Sequence, residues 1–297
     1  MDLSVVVVNH NAKEELELCL KSLMLQRKDL SFEILVADNN SSDGSLGMLQ
    51  TEFPMVHVTA FDANVGFSKA NNACWRQAQG DLVLFLNSDT MVPPSGLRKM
   101  TAVMNGRSEV GGLGPLLRNT NGSIQLSFGS ALSITSELKQ KIIDKGYGNG
   151  QGPLKNYVNG LYAIERNVDW VSGACLLVRK HILEKVDGFD ERFFLYSEDV
   201  DLCGRIRAEG FSIIFHPDVE VLHHRGRSVV KMKEKAFFES QRSRLCYYKK
   251  HYGHPRLSAL VLYMLFRSSI SCLFNSDLSS AHRQLLRLLI HKAQGKS

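Results

Sequence analysis

The sequence predicts an α/β protein, a mostly parallel sheet flanked by helices, and three observations carry that prediction. Short apolar runs alternate with segments of helical period over the first two hundred residues. Four successive runs are followed by Asp, Asn or both, the residues expected where strands end in turns and ligand loops. The 297 residues are 44% hydrophobic and 22% charged, enough apolar material for a large core and too much for a disordered chain.

Residues 4–8 (SVVVV) read as the first strand. Asn11 is placed to cap the following helix, with Glu14 three residues on and Leu16, Leu20 and Leu23 on one face. Residues 34–37 form the second strand, 55–59 the third, 68–79 a helix and 82–86 the fourth strand. Further on, 169–178 reads as a strand and 197–209 as a helix closed by Gly210. Two short strands, 213–215 and 219–222, lie on either side of Pro217. Past residue 230 the chain turns basic and helical. The domain boundary is set there, with a body over 1–230 and an amphipathic segment over 231–297.

The overall charge of +6 conceals a division. Residues 1–224 carry 21 basic and 27 acidic side chains, and residues 225–297 carry 15 basic and 3 acidic. Such a tail suits a polyanion, anionic lipid or nucleic acid. The six cysteines lie tens of residues apart with no CxxC pair and read as reduced, mostly buried thiols. The first residues show no basic stretch before a short apolar run, which reads as a strand of a cytosolic protein rather than a signal peptide.

In open α/β sheets the ligand sits beyond the carboxyl ends of the strands. Asn9, Asp38, Asn64 and Asn87-Ser88-Asp89 all follow strands here. A lone carboxylate such as Asp89 can hold a hard divalent cation or simply form a turn, and Asp38 can accept from a base N–H or open an Asx-turn. Ser197 can cap a helix that carries Glu198 and Asp199 in its first turn. Two adjacent acids there either complement the helix dipole or, by mutual repulsion, set up a general base. His223 after a strand can be a metal ligand or a satisfied polar side chain.

The order of these pieces resembles the family 2 glycosyltransferases over about residues 3–228. The stretches that carry the likeness are SVVVVNHN, ILVADNNSSDGS, NVGFSKANN, LVLFLNSDT, VSGACLLVRK, GFDERFFLYSEDVDLCGRIRAEG and HHRGRS. The likeness is to the bacterial subgroup that includes rhamnosyltransferases of cell-surface polysaccharide assembly. It implies a GT-A nucleotide-diphospho-sugar transferase fold and an inverting reaction dependent on Mn2+ or Mg2+. By residue, it implies that Asn9 and Asp38 line the nucleotide base pocket, and that Asn64, Gly66, Lys69 and Asn72 line the phosphate and ribose side. Ser88 belongs with the nucleotide-sugar site, and Gly173, within Ser172 to Ala174, sits against the donor sugar. Asp89 matches the last carboxylate of the metal-binding Asp-x-Asp, His223 the late metal-ligand histidine, and Asp199 the catalytic base, with Glu198 tuning it or holding an acceptor hydroxyl.

The first position of the metal motif is Asn87 instead of Asp, and the ligand histidine could be His224 in place of His223. Gln241-x-x-Arg244 is similar to the Gln-x-x-Arg-Trp signature of processive synthases, but the Trp is absent. The apolar stretch 257–266 is too short to span a bilayer.

The resemblance implies transfer of a sugar, with L-rhamnose from dTDP-rhamnose the preferred reading, onto a lipid-linked saccharide acceptor. The tail then meets the anionic inner face of the cytoplasmic membrane, and no nucleic acid is expected. The alternatives are a UDP-hexose or UDP-N-acetylhexosamine donor, or a nucleotide-sugar or nucleic-acid binding protein without transferase activity. A dinucleotide oxidoreductase lacks its glycine fingerprint after the first strand, and a nucleotidyltransferase lacks its basic glycine-rich loop there.

Overall fold

The computed structural model describes residues 1–28, 30–148, 152–224, 233–274 and 279–293. The expected boundary near 230 and the Arg225-to-Ser228 end of the HHRGRS stretch lie outside them.

Strand β1 (Leu3–Asn9) pairs in parallel with β2 (Phe32–Asp38) on one side and β4 (Leu82–Asn87) on the other, and β3 (His57–Ala60) extends the sheet beyond β2. β1, β2 and most of β4 are buried on both faces, so they are near-continuous Val, Ile and Leu rather than alternating. Successive side chains still serve opposite layers. Val5, Val7, Ile34 and Leu84 pack on Leu16, Leu20 and Leu23 of α1 (Lys13–Met24) and on α2 (Ser45–Glu52). Val6, Leu35, Val83 and Phe85 face Ala70, Cys74 and Trp75 of α3 (Phe67–Trp75).

The sheet then becomes mixed. After β5 (Thr90–Met91) and α4 (Gly96–Asn105) comes β6 (Val110–Arg118), and after the excursion β7 (Phe128–Gly129), α5 (Ile134–Gly148), α6 (Pro153–Tyr162), β8 (Arg166–Val168) and β9 (Trp170–Val171) comes β10 (Cys175–Arg179). β10 runs antiparallel between β4 and β6. α7 (Lys180–Val186) and α8 (Glu198–Ala208) lead into β11 (Ser212–His223), which is parallel to β6 and antiparallel to β5 and β8. The strand order is β3-β2-β1-β4-β10-β6-β11-β5.

Several sequence expectations change. Residues 169–178 are two strands: β9 pairs with β7 in a small separate sheet, and a turn at Ser172 to Ala174 precedes β10. Residues 212–223 are one strand, because Pro217, which has no N–H to donate, sits in an irregularity where the register to β6 shifts between His216 and Glu220. Asn11 does not cap α1. It has φ 52°, its Oδ1 accepts from Ser42, and the Lys13 N–H is taken by Asp43 from the neighbouring loop at 2.8 Å. Cys19, Cys74, Cys175 and Cys203 are free and buried, as expected.

The tail forms α9 (Lys233–His251), α10 (His254–Phe274) and α11 (Ser279–Ala293). They close a third apolar cluster in which Leu245, Tyr248, Leu260, Met264 and Leu285 pack with Phe193 and Val200 of the body. Some of its cations are spent on the body. Lys250 pairs with Asp190 at 2.7 Å and with Asp201 at 2.6 Å, His251 reaches Asp201 at 2.7 Å, and Arg244 holds Glu137. Among the described residues no helix is long and apolar enough to cross a membrane.

Candidate active site

The parallel register aligns Asn9 with Asp38 at the carboxyl ends of β1 and β2, both fully buried. Asn9 Nδ2 donates to Asp38 Oδ1 at 3.0 Å and to Ser41 Oγ at 3.1 Å, while the Ser41 N–H donates to Asp38 Oδ2 at 3.0 Å. Asn9 Oδ1 is buried with no hydrogen-bond partner among the described residues.

The Asn64 loop is tied to this end by Asn39, whose Nδ2 donates to Asn64 Oδ1 at 3.0 Å and whose Oδ1 accepts the Val65 N–H at 2.8 Å. Gly66 has φ +87°, and a Cβ there would stand 2.7 Å from the carbonyl oxygen and ring of Phe194. The close approach is used: the Phe67 N–H donates to that same carbonyl at 2.7 Å, binding the loop to the segment before α8. Lys69 is exposed on α3. Asn72 is buried, and its amide is committed to Phe189, Trp75 and Glu191, so the structure places it beneath the site as a brace.

Asn87, Ser88 and Asp89 follow β4, and β11 delivers His223 beside them. His223 Nε2 stands 3.1 Å from Asp89 Oδ1 and 3.3 Å from Asn87 Nδ2, while His224 offers its main-chain N–H to the Asp89 carbonyl at 2.8 Å. His223 is thus the histidine whose ring meets the carboxylate. Gln125, 3% exposed, fixes that ring. Its Nε2 donates to the His223 carbonyl and to Asn119 Oδ1, each at 2.8 Å, so its Oε1 must be the atom 2.8 Å from His223 Nδ1. Nδ1 therefore carries a proton, and Nε2 is the ring atom turned to the carboxylate. At 3.1 Å the pair closes either on the proton of an imidazolium or on a bound metal ion. Adjacent ligands of a six-coordinate ion, at about 2.1–2.2 Å from it, stand about 3 Å apart, so the pair fits a hard divalent metal. No cluster of three or more His, Cys, Asp and Glu converges among the described residues, so an ion held here would take its other ligands from water or a bound molecule.

The acids at the start of α8 sit on strained backbone. Tyr196 and Ser197 have φ 71° and 66°, and Ser197 makes no side-chain cap, contrary to the expectation from sequence. Asp199 takes up the orienting contacts: its Oδ2 accepts the Gly173 N–H at 2.9 Å and its Oδ1 the Val200 N–H at 2.8 Å. A Cβ at residue 173 would lie 3.3 Å from Asp199 Cβ, so glycine lets the two segments meet. Burial of its carboxyl group raises the Asp199 pKa, and the two N–H donors hold the rise back. Glu198, 6% exposed, is raised further by burial and by the Asp199 charge, and its Oε2 is buried with no hydrogen-bond partner among the described residues. Both groups are pushed up by burial, Glu198 further because the Asp199 charge adds to it, so Asp199 is the group that ionises first.

Sequence reasoning singled out both acids, Asp89 and His223, and missed Gln125. It lies outside the named strands, in no apolar run and no motif, and only the fold brings it to His223 from 98 residues away. Beyond β7 and β9, α5 and α6 border an open pocket of about 340 Å3 lined by Phe128, Val158, Tyr162 and Trp170 among others.

Residues 4–186 match the family model described as glycosyl transferase family 2. The chain is 31% identical to the N-acetylglucosaminyl-diphospho-decaprenol L-rhamnosyltransferase of Mycobacterium tuberculosis, over 76% of this chain and 77% of that protein. It is 23% identical to the rhamnosyltransferase WbbL of Escherichia coli, over 78% of this chain and 87% of that one. Among solved structures, the mannosyltransferase PcManGT of Pyrobaculum calidifontis in complex with GDP-Man and Mn2+ shares the fold with a TM-score of 0.56. That match has 16% identity and covers 99% of this chain and 86% of that one.

Proposed function

The chain belongs to glycosyl transferase family 2, and from that premise we propose an inverting transferase that moves L-rhamnose from dTDP-rhamnose to a lipid-linked saccharide ending in N-acetylglucosamine. The observation that carries the reading is Asp199. Its raised carboxylate is held by Gly173, on the turn into β10, at the same sheet end as Asn9, Asp38, Asp89 and His223. The names of the Mycobacterium tuberculosis and Escherichia coli relatives support the donor sugar, and the former supports the acceptor.

The nucleotide lies against Asn9 and Asp38, where the unpartnered Asn9 Oδ1 and the Asp38 carboxylate accept from the base. The Asn64 to Gly66 turn and Lys69 face its ribose and phosphates. Asp89 and His223 would hold a divalent cation, which would supply counter-charge for the leaving diphosphate. Asp199 accepts the proton of the acceptor hydroxyl as that oxygen bonds to the anomeric carbon, and the bond from that carbon to the diphosphate oxygen breaks in the same displacement. The configuration inverts, and no sugar is attached to the protein. Glu198, protonated, has an O–H to offer an acceptor hydroxyl. The enzyme works on the inner face of the cytoplasmic membrane, where a lipid-linked acceptor is reached, and its basic tail faces anionic lipid.

Calorimetric titration with dTDP-rhamnose, UDP-glucose, UDP-N-acetylglucosamine and GDP-mannose, each with and without Mn2+, tests the donor. Metal-dependent binding of dTDP-rhamnose is expected. Binding of a UDP-sugar alone would replace the rhamnose reading, and binding of none would remove the transferase site.

A further inference from the structure

Five of the twelve exposed large apolar side chains among the described residues lie on α5 and α10. On α10, Leu262, Phe266 and Ile270 recur every four residues and are 67%, 69% and 42% exposed, while Leu260 and Met264 of the same helix are buried against α9, α11 and the body. On α5 of the body, Leu138 and Ile142 are likewise one turn apart and exposed, Ile142 by 64%. The two helices touch. Lys141, on the same face of α5 as Leu138, lies with its Nζ 5.8 Å from the ring centre of Tyr263, which is next to Leu262 and three residues from Phe266.

Single exposed apolar residues are ordinary, but five on two touching helices make a patch that needs a partner. Its charge says which. Lys139, Lys141 and Arg267 are exposed around it, and α10 has no Asp or Glu in its 21 residues. Glu137 on α5 is neutralised by Arg244, which leaves Asp144 as the exposed acid of that helix. Large apolar tips ringed by Lys and Arg match the boundary between acyl chains and anionic headgroups.

We infer that α5 and α10 together form the membrane-docking face of this protein, with Leu138, Ile142, Leu262, Phe266 and Ile270 entering the lipid and Lys139, Lys141 and Arg267 meeting its anionic headgroups. This goes beyond attraction of a basic tail. The face includes a helix of the body, and it binds by apolar insertion as much as by charge, since Arg244, Lys250 and His251 of the tail already serve body carboxylates. It rests on the reading of an enzyme that meets a lipid-linked acceptor.

The test is co-sedimentation of the full chain with phosphatidylcholine vesicles, with and without phosphatidylglycerol. Leu262→Ser with Phe266→Ser is expected to weaken binding to both vesicles by about tenfold or more. Leu138→Ser with Ile142→Ser tests the body helix and is expected to act in the same direction. Lys141→Gln with Arg267→Gln is expected to remove only the increment that phosphatidylglycerol supplies. Leu25→Ser, exposed outside both helices, is the control and leaves binding as it was. Vesicle binding unchanged in both apolar pairs overturns the inference. So does a wild-type chain that ignores vesicles and instead forms a dimer that the same substitutions dissolve. Nucleoside-diphosphate binding measured on the same samples separates the two readings. A wild type that binds vesicles through this face but no nucleotide refutes the transferase and leaves the face standing.

Discussion

Replacing Gln125 by methionine keeps the volume of the side chain and removes three hydrogen bonds of 2.8 Å at a buried position. His223 Nδ1–H, the His223 carbonyl and Asn119 Oδ1 lose their partner together. At about 1–3 kcal/mol for each buried polar group left unmade, and with some of the three finding water, the fold should lose about 2–4 kcal/mol. The imidazole also loses the contact that fixes its tautomer and plane. Removing such a support costs a metal site about 10- to 100-fold in affinity. Titration of Mn2+ followed by the electron paramagnetic resonance of the free ion reads the second effect, and thermal unfolding without metal reads the first. Gln125→Glu restores an acceptor for Nδ1–H but not the two donors, so it should recover Mn2+ affinity more than stability. A folded Gln125→Met protein that binds Mn2+ within about twofold of wild type would refute the reasoning.

Gly66→Ala places a methyl group 2.7 Å from Phe194 O on backbone at φ +87° and should lower stability by at least about 1–3 kcal/mol in a denaturant titration, with nucleotide binding weakened in parallel; an unchanged midpoint would mean the loop is free to shift. Because burial raises Asp199, the acid limb of the kcat/KM profile should lie above the ordinary carboxylate range, with activity present above that limb and lost below it. Glu198→Gln should leave the limb in place, since Glu198 is still protonated when Asp199 ionises, and a limb displaced by about one pH unit would contradict that order. At Asp190 burial pushes the pKa up, but hydrogen bonds from Arg192 and Lys250 outweigh it and hold the group below its usual range. That stability is present above about pH 4 and is lost as pH falls further, so the midpoint of denaturant unfolding should drop below about pH 4; a flat profile down to about pH 3 would exclude the contribution.

The strands that build the site were legible because β1, β2 and β4 are buried on both faces, and their hydrophobic runs stop where Asn9, Asp38 and Asn87 begin. The acids were legible because Glu198 and Asp199 do open a helix, although the reason expected for it was wrong: Ser197 is left-handed and caps nothing. Gln125 lies between β6 and β7, outside every helix, and the β7–β9 pair is two residues long, so nothing in the local pattern announces that Gln125 reaches His223. The single strand 212–223 was read as two because proline ordinarily ends a strand, whereas here an irregular register absorbs it. The tail's charge was visible, but its pairing with Asp190, Asp201 and Glu137 depends on tertiary contacts across 60, 49 and 107 residues.

The central claim is that Asp199 removes the proton of the acceptor in a sugar transfer from a nucleotide-diphosphate donor. Single-turnover transfer from dTDP-rhamnose to an N-acetylglucosaminyl-diphospho-prenyl acceptor, compared between wild type and Asp199→Asn, measures it directly. The account predicts a fall of about 10²- to 10⁴-fold in the transfer step with dTDP-rhamnose still bound to within about threefold. Transfer by Asp199→Asn at near the wild-type rate would contradict it.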